Sequence, residues 1–128
     1  MTKYVIDAYA WIEYLEGSKQ GKVVQEILFG QHEIITSAVT IAEVVSRIKR
    51  KGMDGEAAYR ALQGLSIIVP LDAEMCKEVG LLHAETRSRI SGFGLADAFV
   101  LSLARKIGGK IVTGDPHFKS EKGVLFLS

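Results

Sequence analysis

The chain predicts an α/β fold, a three-layer α/β/α sandwich around a mainly parallel, roughly five-stranded sheet. Three observations carry this. Short β-favouring runs alternate with stretches whose apolar residues recur every three or four positions. The β-favouring runs are apolar on both faces, as strands covered by helices on both sides must be. And 128 residues, 48% of them apolar, are enough for one domain, residues 1–128, with a core of its own.

The first run, Tyr4-Val5-Ile6, ends at Asp7, and Ala8 to Leu15 then switches to helical spacing before Gly17. Ser18 caps a second helix carrying Val23, Val24, Ile27, Leu28 and Phe29, closed by Gly30; His32 to Thr36 is the second strand. Ser37 opens a third helix with apolar positions Ala38, Ile41, Ala42, Val45 and Ile48 and a basic end, Arg47, Lys49, Arg50 and Lys51, before Gly52. A fourth helix covers Gly55 to Leu65, followed by the strand Ile67-Ile68-Val69 and Pro70, and Asp72 caps a long helix to about Arg89. The loop Ser91-Gly92-Phe93-Gly94 leads into Leu95 to Ile107, a helix apolar enough to be buried, closed by Gly108-Gly109. Ile111-Val112-Thr113 is the fourth strand, Asp115-Pro116 starts a short turn of helix, and Val124 to Leu127 is the last strand.

Sixteen Lys and Arg against fifteen Asp and Glu give a formal charge of +1, so any nucleic-acid partner must be met by local patches rather than a global field. The single Cys76 excludes an internal disulfide, and no set of zinc ligands surrounds it. Apolar stretches are broken by charge well before the ~18 residues of a membrane span, and Asp7 and Glu13 interrupt the N-terminal run. The expectation is a cytoplasmic protein with no membrane partner.

Function is read from acids. In open parallel sheets, ligands bind outside the carboxyl ends of the strands, and Asp7 and Asp115 both follow strands directly. Each also suits a helix N-cap, Asp115 especially, with proline after it. Glu43 falls on a helical wheel beside Thr40, Arg47 and Arg50, away from the apolar stripe, and its periodicity alone assigns it to a solvated face. Asp97 differs: Val100, Leu101 and Ala104 follow one and two turns on, so its carboxylate emerges near the stripe of a buried helix. The helix dipole relieves that burial by at most ~1 kcal/mol against several for an uncompensated buried charge. Like charges ~4 Å apart repel by roughly 4 kcal/mol at an effective dielectric of about 20, so a cluster of these acids must take up protons or be bridged by divalent cations. Oxygen donors alone, with no His at ligand spacing, select Mg²⁺ or Mn²⁺.

Four segments, Val-Ile-Asp7, Thr36-Ser37-Ala-Val-Thr40-Ile-Ala-Glu43-Val, Leu95-Ala-Asp97-Ala-Phe-Val-Leu-Ser-Leu-Ala104 and Ile-Val-Thr113-Gly-Asp115-Pro-His-Phe118, resemble the motifs of the PIN-domain family in order and spacing, across essentially the whole chain. The compact length looks most like the VapC-like ribonuclease toxins. The resemblance implies a PIN-like sheet flanked by helices and a metal-dependent ribonuclease, the toxin of a toxin–antitoxin pair. Its four acids carry over onto Asp7, Glu43, Asp97 and Asp115, with Mg²⁺ or Mn²⁺ held mainly by Asp7 and Asp97 and a supporting hydroxyl on Thr113. It also implies that Glu43 belongs to the site, against the wheel. One departure stands out: where many members carry Ser, Thr or Asn two residues after the first acid, this chain has Tyr9.

Metal-activated hydroxide would then attack a phosphodiester in line, with no Ser, His or Cys nucleophile. An acid-lined mouth needs basic flanks to guide RNA; the candidates are Arg47, Lys49, Arg50, Lys51, Arg87 and Arg89, although cations at a helix end also complement its dipole. Tyr9, Trp11, Tyr14 and Phe93 are candidates for stacking on bases, with core packing as the alternative. A hydrophobic strip on the early helices would receive an antitoxin or a second subunit of a homodimer. Two rival readings are a non-catalytic RNA-binding or protein-interaction module whose acids cap helices, and a phosphatase or receiver domain phosphorylated on Asp7. The latter lacks the second acid such domains carry. His83-Ala84-Glu85 is not followed by the cysteines of a zinc deaminase, and Gly92-Phe93-Gly94 does not follow a strand as a dinucleotide loop would.

Overall fold

The structure, a computed structural model, describes residues 2–128. Five strands, β1 (Lys3–Ile6), β2 (Glu33–Ser37), β3 (Ile67–Val69), β4 (Lys110–Thr113) and β5 (Val124–Phe126), form one sheet in the order β3-β2-β1-β4-β5. Every neighbouring pair is parallel. The helices are α1 (Ala8–Glu16), α2 (Lys19–Leu28), α3 (Ala38–Arg50), α4 (Gly55–Leu65), α5 (Ala73–Arg87) and α6 (Leu95–Ile107), with a 3₁₀ turn over Pro116–Phe118. The elements agree with those expected; the long fifth helix stops at Arg87, two residues early.

Successive strand side chains point to opposite faces, and here each face meets its own helical layer. Ile6, Ile34 and Val112 pack with Trp11, Val24, Val44 and Leu62 from α1 to α4. Val5, Ile35 and Ile111 pack on the other side with Val79 of α5, Leu101 of α6, and Phe93 and Phe118. Val5 sits in register with both Ile35 and Ile111, so the apolar rows run straight across the middle of the sheet. At ~25 cal/mol per Å² of apolar surface, this two-sided burial is the main favourable term for the fold.

Side-chain caps set the helix starts. Asp7, Ser18, Asp54 and Asp72 accept from the N–H groups of Ala10, Gly21, Ala57 and Met75, at 2.9, 3.0, 3.1 and 2.8 Å. No helix among the described residues is long and apolar enough to cross a membrane.

The strand order has one reversal. From β1 the chain moves outward through β2 to β3, then returns to place β4 on the other side of β1. Connections on either side of β1 and β4 therefore diverge, and a crevice opens at the carboxyl ends of these two strands.

Candidate active site

Asp7 leaves β1 and Asp115 leaves the β4 end, so both stand at that crevice. Asp97 enters from the first turn of α6 and Glu43 from the second turn of α3. All four line one pocket of about 170 Å³, together with Glu13, Arg47, Lys51 and Tyr9.

Asp7 is 4% exposed. Burial is the main force pushing its carboxyl from 3.8 up to about 7; the Thr113 hydroxyl and the Ala10 N–H pull it down, and the charges of Asp115 and Asp97 push it further up. Glu43 is exposed as a residue, yet its carboxyl hangs over the pocket. Desolvation there, then Asp97 and Asp115, raise it from 4.5 to about 6 against the pull of Arg47. Asp97 is half-buried and also raised, by desolvation first and by Asp115, while the Gly94 N–H and His117 oppose the rise. Its Oδ2 accepts from that N–H at 3.2 Å. These acids therefore sense one another as well as the solvent they have lost.

Asp115 is held by its own loop: its N–H donates to Thr113 Oγ1 at 2.9 Å, and its Oδ1 accepts from the His117 N–H at 2.9 Å. Thr113 is fully buried between Asp7 and Asp115, so one hydroxyl serves both acids. Tyr9 fills no such role: its hydroxyl donates to Gln20 Oε1 at 2.7 Å, and its ring lies over Gly114 so closely that a Cβ there would stand 2.2 Å from Cε1. The Tyr9 ring thus braces the loop that carries Asp115.

The helical wheel misplaced α3. Its buried residues are Thr40, Val44 and Ile48, whereas Ala42 of the expected stripe is exposed and Ile41 and Val45 are half-buried. The helix is turned by about one position because it packs on α1 and α4 as well as the sheet, and that turn brings Glu43 to the pocket edge. Of the basic candidates, Arg47 and Lys51 line the pocket, Arg50 lines an adjoining hollow with Glu43, and Lys49 lies outside it. Lys51 also pairs with Glu16. Arg87 and Arg89 are exposed at the end of α5 and beyond, and Arg89 reaches Glu121 at 4.0 Å. Among the stacking candidates Trp11 and Phe93 are fully buried, Trp11 donating to Thr36 at 3.1 Å, while Tyr14 is half-buried and Tyr9 stays on the surface. His83 is half-buried rather than a bare surface residue, its Nε2 lying 2.9 Å from the Phe93 carbonyl.

Two residues escaped the sequence reading. Glu13, one and a half turns after Asp7, lines the pocket and accepts from Ser18 Oγ at 2.9 Å. His117 corrects the expectation that no histidine stands at ligand spacing. Ligand atoms of Asp97, Asp115 and His117 lie within 4.8 Å of one another. The His117 Nδ1 is 3.1 Å from Asp115 Oδ1 and 3.6 Å from Asp97 Oδ2, is shut off from solvent, and is off the line of a hydrogen bond to either. Carboxylate oxygens gathered around a ring nitrogen that is shielded from solvent and aligned with neither of them form a donor set that fits a divalent cation.

A family model described as "PIN domain" matches residues 4–122. A search of curated proteins finds no sequence match. Among solved structures, the fold is similar to VapC20 of Mycobacterium tuberculosis, described as a sarcin-ricin-loop-cleaving toxin, with a TM-score of 0.79 and 14% identity over 94% of this chain and 96% of that one. It is also similar to a toxin–antitoxin complex from Klebsiella pneumoniae, with a TM-score of 0.71 and 20% identity over 98% of each chain. DNA-bound VapBC from Salmonella typhimurium matches over the full length of both chains, with a TM-score of 0.72 and 17% identity. With that family model matching nearly the whole of its length, the chain belongs to the PIN-domain family.

Proposed function

We propose that the protein is a metal-dependent endoribonuclease, acting as the toxin of a toxin–antitoxin pair, with residues 1–128 forming one PIN-like domain. The observation that carries this reading is the convergence of Asp7, Glu43, Asp97 and Asp115 on one pocket, with Arg47 and Lys51 on its wall. Asp7 and Asp97 would hold Mg²⁺ or Mn²⁺, with Glu43 and Asp115 completing the set. When bound, the ion supplies activated water near neutral pH and offsets charge on the phosphoryl oxygens. The chain's own residues do the rest. Arg47 and Lys51 draw the RNA backbone to the acid-lined mouth. Glu43, raised to about 6, stands in range to accept a proton from water near neutral pH. Thr113 keeps Asp7 and Asp115 oriented from beneath. An antitoxin or a second copy of the chain would cover apolar side chains left on α2 and at its C-terminal cap, where Val23 is 43% and Phe29 63% exposed. The rival phosphoacceptor reading is disfavoured: the Asp7 carboxyl is buried, with one oxygen tied to the Ala10 N–H, and has little access to a phosphodonor.

The test incubates structured and unstructured RNAs with wild type and Asp97→Asn in Mg²⁺, Mn²⁺ or chelator. Cleavage lost in chelator and at least ~100-fold slower in the folded variant supports the reading; wild-type rates in Asp97→Asn, or cutting undiminished by chelator, sink it.

A further inference from the structure

We infer that His117 is a ligand of the cation site, joining Asp97 and Asp115 through Nδ1, and that it tilts the site towards Mn²⁺ over Mg²⁺. The inference rests on the metal-dependent reading above and adds a nitrogen donor to it.

The first argument is the state of Nδ1 itself. It is shielded from solvent and makes no hydrogen bond, although two carboxylates lie within 3.6 Å. A ring nitrogen stripped of water, with both neighbouring carboxylates off the line of a hydrogen bond, is poorly satisfied, and an ion placed among the three donors would supply the partner. Donors bound at ~2.1 Å to a shared ion stand at most about 4.2 Å apart, so a group whose ligand atoms lie within 4.8 Å of one another needs to close by at most about 0.6 Å.

The second argument is that the imidazole is aimed. Pro116 fixes the turn before it, and the His117 N–H is tied to Asp115 Oδ1. The buried Phe93 ring meets the imidazole edge-on at 6.5 Å between centroids. Behind the ring stands Gly92, whose φ is +78° and where a Cβ would lie 3.2 Å from Nε2. A side chain at 92 would crowd the ring, so glycine leaves the space that lets Nδ1 face the acids.

The chemistry then follows from donor type. Carboxylate oxygens serve Mg²⁺ and Mn²⁺ alike, whereas imidazole favours the transition ion. Of the three histidines, His32, His83 and His117, only His117 lies in an acid group among the described residues.

Titration calorimetry with Mn²⁺ and with Mg²⁺ on wild type, His117→Ala and Asp97→Asn provides one readout, and pulsed electron paramagnetic resonance of Mn²⁺-loaded protein provides another. The wild type should show ¹⁴N modulation from a directly bound ring nitrogen, and His117→Ala should lose it. Mn²⁺ affinity should fall at least about tenfold in that variant, while Mg²⁺ affinity changes by no more than about twofold. Absence of ¹⁴N modulation in the wild type overturns the inference without any variant. So does a Mn²⁺ to Mg²⁺ preference unchanged in His117→Ala. If Asp97→Asn alone loses both ions, the metal reading stands and the histidine's part in it falls; if the wild type binds neither ion, both fall together.

Discussion

Asp7→Asn should make the protein more stable while removing its activity. Asp7 is buried, and its carboxyl moves from an ordinary 3.8 to about 7 on folding, chiefly by desolvation. At ~1.4 kcal/mol per decade of proton activity, that displacement corresponds to on the order of 4 kcal/mol of folding free energy. Because the folded-state value is the higher one, the folded chain holds the proton more tightly than the unfolded chain. The associated stability is present in full below pH ~4, is lost as pH rises, and is gone above pH ~7. Asparagine keeps an oxygen to accept the Ala10 N–H, now 2.9 Å away, and carries no charge at any pH. Its new N–H₂ group points into a pocket of carboxylate acceptors, so part of the gain survives the exchange. At pH 8 in chelator the variant should be stabilised by about 2–4 kcal/mol, on the order of 8–16 °C in Tm. At pH 3.5 the difference should shrink to near zero. Thermal unfolding followed by circular dichroism across pH 3.5–8 measures it. A variant no more stable than wild type at pH 8, or a difference that does not grow with pH, would refute the claim that Asp7 is held charged against its environment. Saturating Mn²⁺ should erode the variant's lead by stabilising only the wild type, by ~2.7 kcal/mol at a hundredfold excess over Kd and ~4.1 kcal/mol at a thousandfold excess, where the lead is cancelled.

Gly114→Ala should loosen the Asp115 loop, because the added methyl would stand 2.2 Å from the Tyr9 ring; it should destabilise by about 1–3 kcal/mol, and a second change, Tyr9→Ser, should restore much of that in denaturant titrations. Failure of the double variant to recover would place the strain elsewhere. Arg47→Ala should move the acid limb of the pH–rate profile to higher pH, since Arg47 holds Glu43 down to about 6, and should lower the salt slope of RNA binding by about 1. An unmoved limb would remove Glu43 from the proton transfer.

Much of this architecture is readable from local chemistry. Val5-Ile6, Ile34-Ile35 and Ile111-Val112 are apolar pairs on alternating faces, which a strand between two helical layers requires. Asp7 and Asp115 were legible because a strand end in a parallel sheet is itself a location. Glu43 was not, since a wheel assumes one buried face and α3 has neighbours on several sides; Thr40, polar yet fully buried with its Oγ1 unpartnered, defeats any hydropathy pattern. His117 stayed invisible for a different reason. Its partner Asp115 is two residues away, but Asp97 is brought to it only by the packing of α6, a contact between remote segments.

Asp7 follows directly on the central strand of the sheet, where Val5 and Ile6 are wholly enclosed and Val5 is paired with a neighbour on each side. Amides at such a position exchange with solvent only when the entire molecule opens, not through fraying of one part. The reactive centre is therefore tethered to the last portion of the chain to give way. On heating, loss of function and loss of structure should arrive at the same temperature, with no inactive but still folded form between them.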